Sequence, residues 1–71
     1  MELKIKFING DTGYYKYQDR YGDLLEVLKL IDHRETFALN KFEPHIENST
    51  HLVWLNPIHI LEIEEGYFEK P

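Results

Sequence analysis

Residues 51–65 form a dense run of strand-forming and apolar residues, with Val53, Trp54 and Leu55 followed by Ile58, Ile60 and Ile63. The run is interrupted once, at Asn56 and Pro57, and it ends among the carboxylates of Glu62, Glu64 and Glu65. Such a run commits the chain to a sheet, because β-branched and aromatic side chains pack well on a pleated surface. Pro57 has no N–H to give to a ladder, so the run bends there. It reads as a strand over residues 51–56 followed by a strand, or a bent continuation, over residues 58–64. In the second part His59, Leu61 and Ile63 alternate with Ile58, Ile60, Glu62 and Glu64, so one face turns from apolar to acidic partway along.

Upstream, Leu3, Ile5 and Phe7 alternate with Lys4 and Lys6, the period of a half-buried strand. Asn9, Gly10, Asp11 and Gly13 tolerate the positive φ values of tight turns, so residues 2–18 read as a hairpin whose return strand carries Tyr14, Tyr15 and Tyr17. Asp23 then stands as a helix N-cap with Glu26 three residues on. Leu24, Val27, Leu28 and Ile31 follow helical spacing, with Leu25 and Leu30 widening the stripe, and the helix ends near His33 and Arg34. Residues 36–42 read as a third strand and residues 43–50 as a polar loop. Gly66 closes the last strand, and residues 67–71 form a tail that packs loosely or frays. The predicted fold is α+β: a curved antiparallel sheet of four to five strands with one helix, in the order β-β-α-β-β(-β), open or closed into a small partly open barrel.

Length confines this to a single domain over all 71 residues. A domain of this size buries only about 60% of the surface its unfolded chain exposes, so self-association is a natural supplement to its core. There is no cysteine, which removes disulfides and thiolate metal sites and suits the reducing cytoplasm. The sequence has no signal-peptide pattern and no apolar stretch of membrane-spanning length, so neither export nor a membrane is expected.

Four histidines, His33, His45, His51 and His59, lack the paired spacing of a zinc site, and no metal or other cofactor is expected. Ser49 and Thr50 sit in a polar loop without a glycine-flanked elbow, and Thr12 is a turn residue. Glu62 and Glu64 share one strand face and do not oppose each other across a cleft, as paired catalytic carboxylates do. No glycine-rich phosphate loop is present. The sequence therefore points away from an enzyme and toward binding.

Charge is uneven. Residues 1–22 hold four basic side chains against three acidic ones, and residues 23–71 hold ten carboxylates against four basic side chains, within a net charge of −5. The acidic end, Glu62, Glu64, Glu65 and Glu69 with Glu43 and Glu47 as candidate neighbours, suits either protection of an exposed sheet edge or a surface complementary to a basic partner protein. An alternative is single-stranded nucleic-acid binding through Tyr14 or Tyr15 with Lys4, Lys6, Lys16 and Arg20, in a cluster that also includes Tyr17 and Tyr21. Trp54, the single tryptophan, is expected to anchor the core; turned outward, it would centre an interface. The leading expectation is a small protein-interaction module that binds another protein, and also itself, through the acidic surface or an exposed sheet edge. In size and simplicity the chain resembles the accessory and inhibitor proteins that phages and mobile elements carry.

Overall fold

A computed structural model describes residues 1–20 and 22–69. Tyr21, included in the aromatic cluster above, and the last two residues of the tail lie outside them. Within them the chain forms β1 (Glu2–Phe7), β2 (Thr12–Lys16), α1 (Leu24–Asp32), β3 (Phe37–Phe42), β4 (His51–Leu55), a short 3-10 turn (Pro57–His59) and β5 (Ile60–Gly66). The five strands make one antiparallel sheet in the order β4-β3-β2-β1-β5. It is the expected α+β arrangement, and the sheet is open, with β4 and β5 as its two edges instead of a closed barrel.

The hairpin turn closes where Gly10 N–H donates to the Phe7 carbonyl, with Gly10 at φ +92°, a conformation few other residues adopt cheaply. Asn9 Oδ1 holds the Asp11 N–H at 3.0 Å. Helix α1 starts at Asp23, whose carboxylate accepts the Glu26 N–H at 2.9 Å. It stops in a Schellman arrangement: Glu35 N–H reaches the Leu30 carbonyl and Arg34 N–H the Ile31 carbonyl. Arg34 takes the left-handed position there at φ 57°, where glycine is usual.

The core lies between α1 and one face of the sheet. Leu3, Ile5, Tyr15, Val27, Phe37, Leu39 and Leu55 fill it, with Phe7, Tyr17, Leu24, Leu30, Ile31, Val53, Ile60 and Ile63 packed around them. The helix buries a narrower stripe than its spacing suggests. Leu25 is 61% exposed and Leu28 is also open to solvent, because a nine-residue helix on a narrow sheet presents only its Val27 side to the core. Gly13 faces Ile5 across the hairpin, and the Tyr15 ring folds over it: a β-carbon at Gly13 would stand 2.6 Å from the Tyr15 hydroxyl. The ring continues to an edge contact with Phe7, centroids 6.3 Å apart.

One expectation needs correction. Trp54 does not anchor the core. Leu39 pairs with Val53 and Phe37 with Leu55 on the helix side, so Trp54 and Leu52 point to the opposite face. Of the two expectations for the tail, packing is the one found over residues 68–69: Phe68 and Glu69 both donate backbone N–H groups to Glu2 Oε1, at 2.7 and 2.9 Å. A second departure is one of phase. β1 and β5 keep register from Glu2–Gly66 to Lys6–Glu62, then skip one residue so that Phe7 faces Ile60. Leu61 is the extra residue of this bulge and stands 59% exposed, while Ile60 and Ile63 both reach the core.

Candidate interaction surface

The helix covers one face of the sheet, and the other shows three zones built by the strand order. Toward the β5 edge the face is charged. Lys4 lies opposite Glu64 and Lys6 opposite Glu62 on β5, and the same two lysines lie opposite Tyr14 and Thr12 on β2. Directly opposed residues of this kind have β-carbons about 4.5–5.5 Å apart, within reach of mutual attraction. Lys4, Lys6, Thr12, Glu62, Ile63 and Glu64 line a shallow groove of about 540 Å³. The basic residues of one sequence-level reading and the acidic residues of the other are thus neighbours on one mixed surface.

The middle zone is aromatic. Phe42 is buried beneath Tyr14, ring centroids 6.2 Å apart, and the tail lays Phe68 against Tyr14 at 5.6 Å. Lys16 Nζ stands 5.1 Å from the Phe42 centroid and pairs with Glu69 Oε2 at 3.1 Å. Tyr14 is therefore half-buried between two rings, and Tyr15, 3% exposed, lies on the core side.

The third zone is the β4 edge. Trp54 is opposite Ala38 and is 67% exposed; Leu52 is opposite Asn40 and is 54% exposed. Residues 51–55 carry no formally charged side chain, whereas the β5 edge carries Glu62, Glu64 and Glu65. Ala38 is almost fully covered and Trp54 beside it is not, so the indole stands on the sheet as an apolar projection.

The remaining candidates separate. Glu65 points to the helix side, where it accepts a hydrogen bond from the Tyr17 hydroxyl. Burial, that hydrogen bond and the charges of Glu65 and Asp23 together push the Tyr17 phenol well above its ordinary range. Glu2 shows the opposite balance. Burial disfavours its charge, but the two tail N–H groups, Lys16 and the N-terminal ammonium outweigh it and lower its pKa. Glu43 and Glu69 share a groove of about 530 Å³ with Tyr14, Pro44, His45, Tyr67 and Phe68. Arg20 lies apart from Lys4 and Lys6, beside Tyr17, Gln18, Asp19 and Asn40. Ser49 holds its own loop together, its hydroxyl taking the Glu43 N–H at 2.8 Å. All four histidines are exposed, and among the described residues no group of three or more His, Asp or Glu is arranged to hold a metal. No helix among them is long and apolar enough to cross a membrane.

Sequence reasoning missed Leu52, Glu2 and Phe68. The partnership of Leu52 with Trp54 is written in their spacing of two, but β4 is apolar on both faces, so period alone does not say which side is out. Compared with known proteins, the chain matches no family model, no curated protein and no solved structure.

Proposed function

We propose that this chain is a small protein-interaction module that works by binding, not by chemistry, through its β4 edge with Trp54 at the centre of the contact. The observation that carries the reading is a tryptophan 67% exposed on an edge strand without a charged side chain. Exposed edges are ordinarily blunted by lysine or other charged residues, or by proline, and tryptophan is among the residues most enriched at interface centres. The acidic end is a weaker centre. Glu62 and Glu64 face lysines of their own chain, Glu65 accepts from Tyr17, and Glu69 pairs with Lys16, which suits a rim that orients a partner. An accessory role in the cytoplasm fits the reading, since a chain without cysteines has no need of an oxidising compartment.

The test is affinity purification with the intact chain, comparing the wild type with Trp54→Lys and with Glu62→Lys/Glu64→Lys/Glu65→Lys. The expected result is a bound protein, further copies of the chain included, that is lost with Trp54→Lys and retained by the triple variant. Loss only with the triple variant would move the site to the acidic end. Salt-sensitive binding of an unstructured oligonucleotide, removed by Lys4→Glu/Lys6→Glu and not by Trp54→Lys, would overturn the reading in favour of nucleic acid.

A further inference from the structure

The β4 edge has a symmetry that names its occupant. Its five residues, His51 to Leu55, are centred on Val53, with Leu52 and Trp54 one step to either side and both on the uncovered face. We infer that the partner at this edge is a second copy of the same chain, its β4 running antiparallel to the first about a two-fold axis at Val53. This rests on the binding role proposed for the edge. In that register Leu52 of each copy falls opposite Trp54 of the other, and the two exposed apolar side chains cover each other twice. Aliphatic–aromatic pairs directly across an antiparallel ladder are among the favourable cross-strand combinations. A slip of one residue in the pairing would set Trp54 against Val53, which points to the other face of its sheet, so the apolar match itself holds the register.

Charge favours a second copy at this edge and opposes one at the other. The chain carries a net charge of −5, so two copies repel unless their acidic regions stay apart. Strand order puts β5, with Glu62, Glu64 and Glu65, at the far side of the sheet from β4. Four strand spacings separate the two edges, roughly 19 Å, about two Debye lengths at physiological salt. Pairing through β4 brings together two uncharged strands and extends two five-stranded sheets into one of ten strands, with the helices of both copies on the same side. Pairing through β5 would set glutamates against glutamates. The contact engages few residues beside the roughly 20–30 per side of a standard interface, so the dimer is expected to come apart on dilution.

Sedimentation of the intact protein over a range of concentrations tests this. The wild type should pass from the mass of one chain to that of two as concentration rises. Leu52→Lys and Trp54→Lys should remain single chains with unchanged far-ultraviolet dichroism, since both side chains already face solvent. Because the protein has no cysteine of its own, Val53→Cys supplies a second measurement: a disulfide-linked dimer should form in air, while Ile58→Cys, exposed and away from the axis, should not cross-link appreciably. A wild type that stays a single chain throughout, or a dimer that survives Trp54→Lys, would overturn the inference. If the single chain still captures other proteins in a Trp54-dependent way, the second-copy partner falls and the interaction role stands. If no Trp54-dependent binding of any kind is found, both fall.

Discussion

Glu2 Oε1 accepts the backbone N–H of Phe68 at 2.7 Å, a bond between residues 66 apart in sequence. The Glu69 N–H joins the same oxygen, and the Lys16–Glu69 pair and the Phe68–Tyr14 contact complete the attachment. One carboxylate thereby sets where the chain goes after β5. Glu2→Gln keeps the shape and weakens two charge-assisted hydrogen bonds, and should cost about 1–2 kcal/mol at neutral pH. Since folding lowers the pKa of Glu2, its contribution is full above the ordinary value of 4.5 and fades as the pH falls through the folded value. Urea midpoints taken downward from neutral pH should fall more steeply below about 4.5 for the wild type than for Glu2→Gln.

The Tyr17–Glu65 bond predicts an alkaline counterpart. Folding raises the Tyr17 pKa, so its contribution is complete below the ordinary value of 10.0 and is lost as pH climbs from there toward the folded value. Tyr17→Phe should cost about 1 kcal/mol near neutrality and flatten the decline in stability above about pH 10. Tyr15, raised by burial and by Glu43, should ionise late as well. An ultraviolet titration of the folded protein should therefore show Tyr15 and Tyr17 ionising later than they do in denaturant.

Arg34 occupies the left-handed position at the end of α1 without the freedom of glycine. Arg34→Gly removes the contact between the β-carbon and the backbone that this conformation forces. It should stabilise the fold by about 0.5–1 kcal/mol, read as a higher urea midpoint with an unchanged slope.

The opposite sign is expected at Gly13. A methyl group there meets the buried ring of Tyr15, which has Phe7 beside it and cannot swing clear without opening the core. Gly13→Ala should cost about 1–3 kcal/mol, the ordinary penalty for overfilling a packed site. Equal stability of the two proteins would show that the ring does not lie over the glycine.

With a single tryptophan, the emission spectrum reports on Trp54 alone. In dilute solution the emission should be that of a water-exposed indole, readily quenched by acrylamide. It should shift to shorter wavelength and resist quenching as the concentration rises, and Leu52→Lys should suppress the shift.

Local chemistry made the elements legible. The turn residues 9–13, the Asp23 cap and the break at Pro57 each act over a few neighbours, and each marks a boundary that the structure keeps. The assignment of faces was less accessible. β4 is apolar on both sides, so a period of two cannot say that Trp54 points outward; the helix, by choosing one face of the sheet, decides it. In β5, counting by twos from Glu64 through Glu62 sets Ile60 among the carboxylates, and the extra residue Leu61 moves it to the core. That bulge is a property of the pairing with β1 and not of β5 itself. The tail is anchored by a residue at the other end of the chain, a contact that no local pattern announces. The candidate residues were partly visible as types, Trp54 above all. Their grouping, with Lys4 beside Glu64 and Lys6 beside Glu62, is a product of strand order.

The two edges of this sheet are unlike, one apolar and one acidic, and that difference sets a ceiling on stoichiometry. Joining two copies at β4 consumes the only edge of either that invites addition and leaves a glutamate-bearing β5 at each outer end. A chain with two bare edges would keep adding strands toward a fibril. In the proposed pairing the order of strands would supply a stopping point, and the count would end at two.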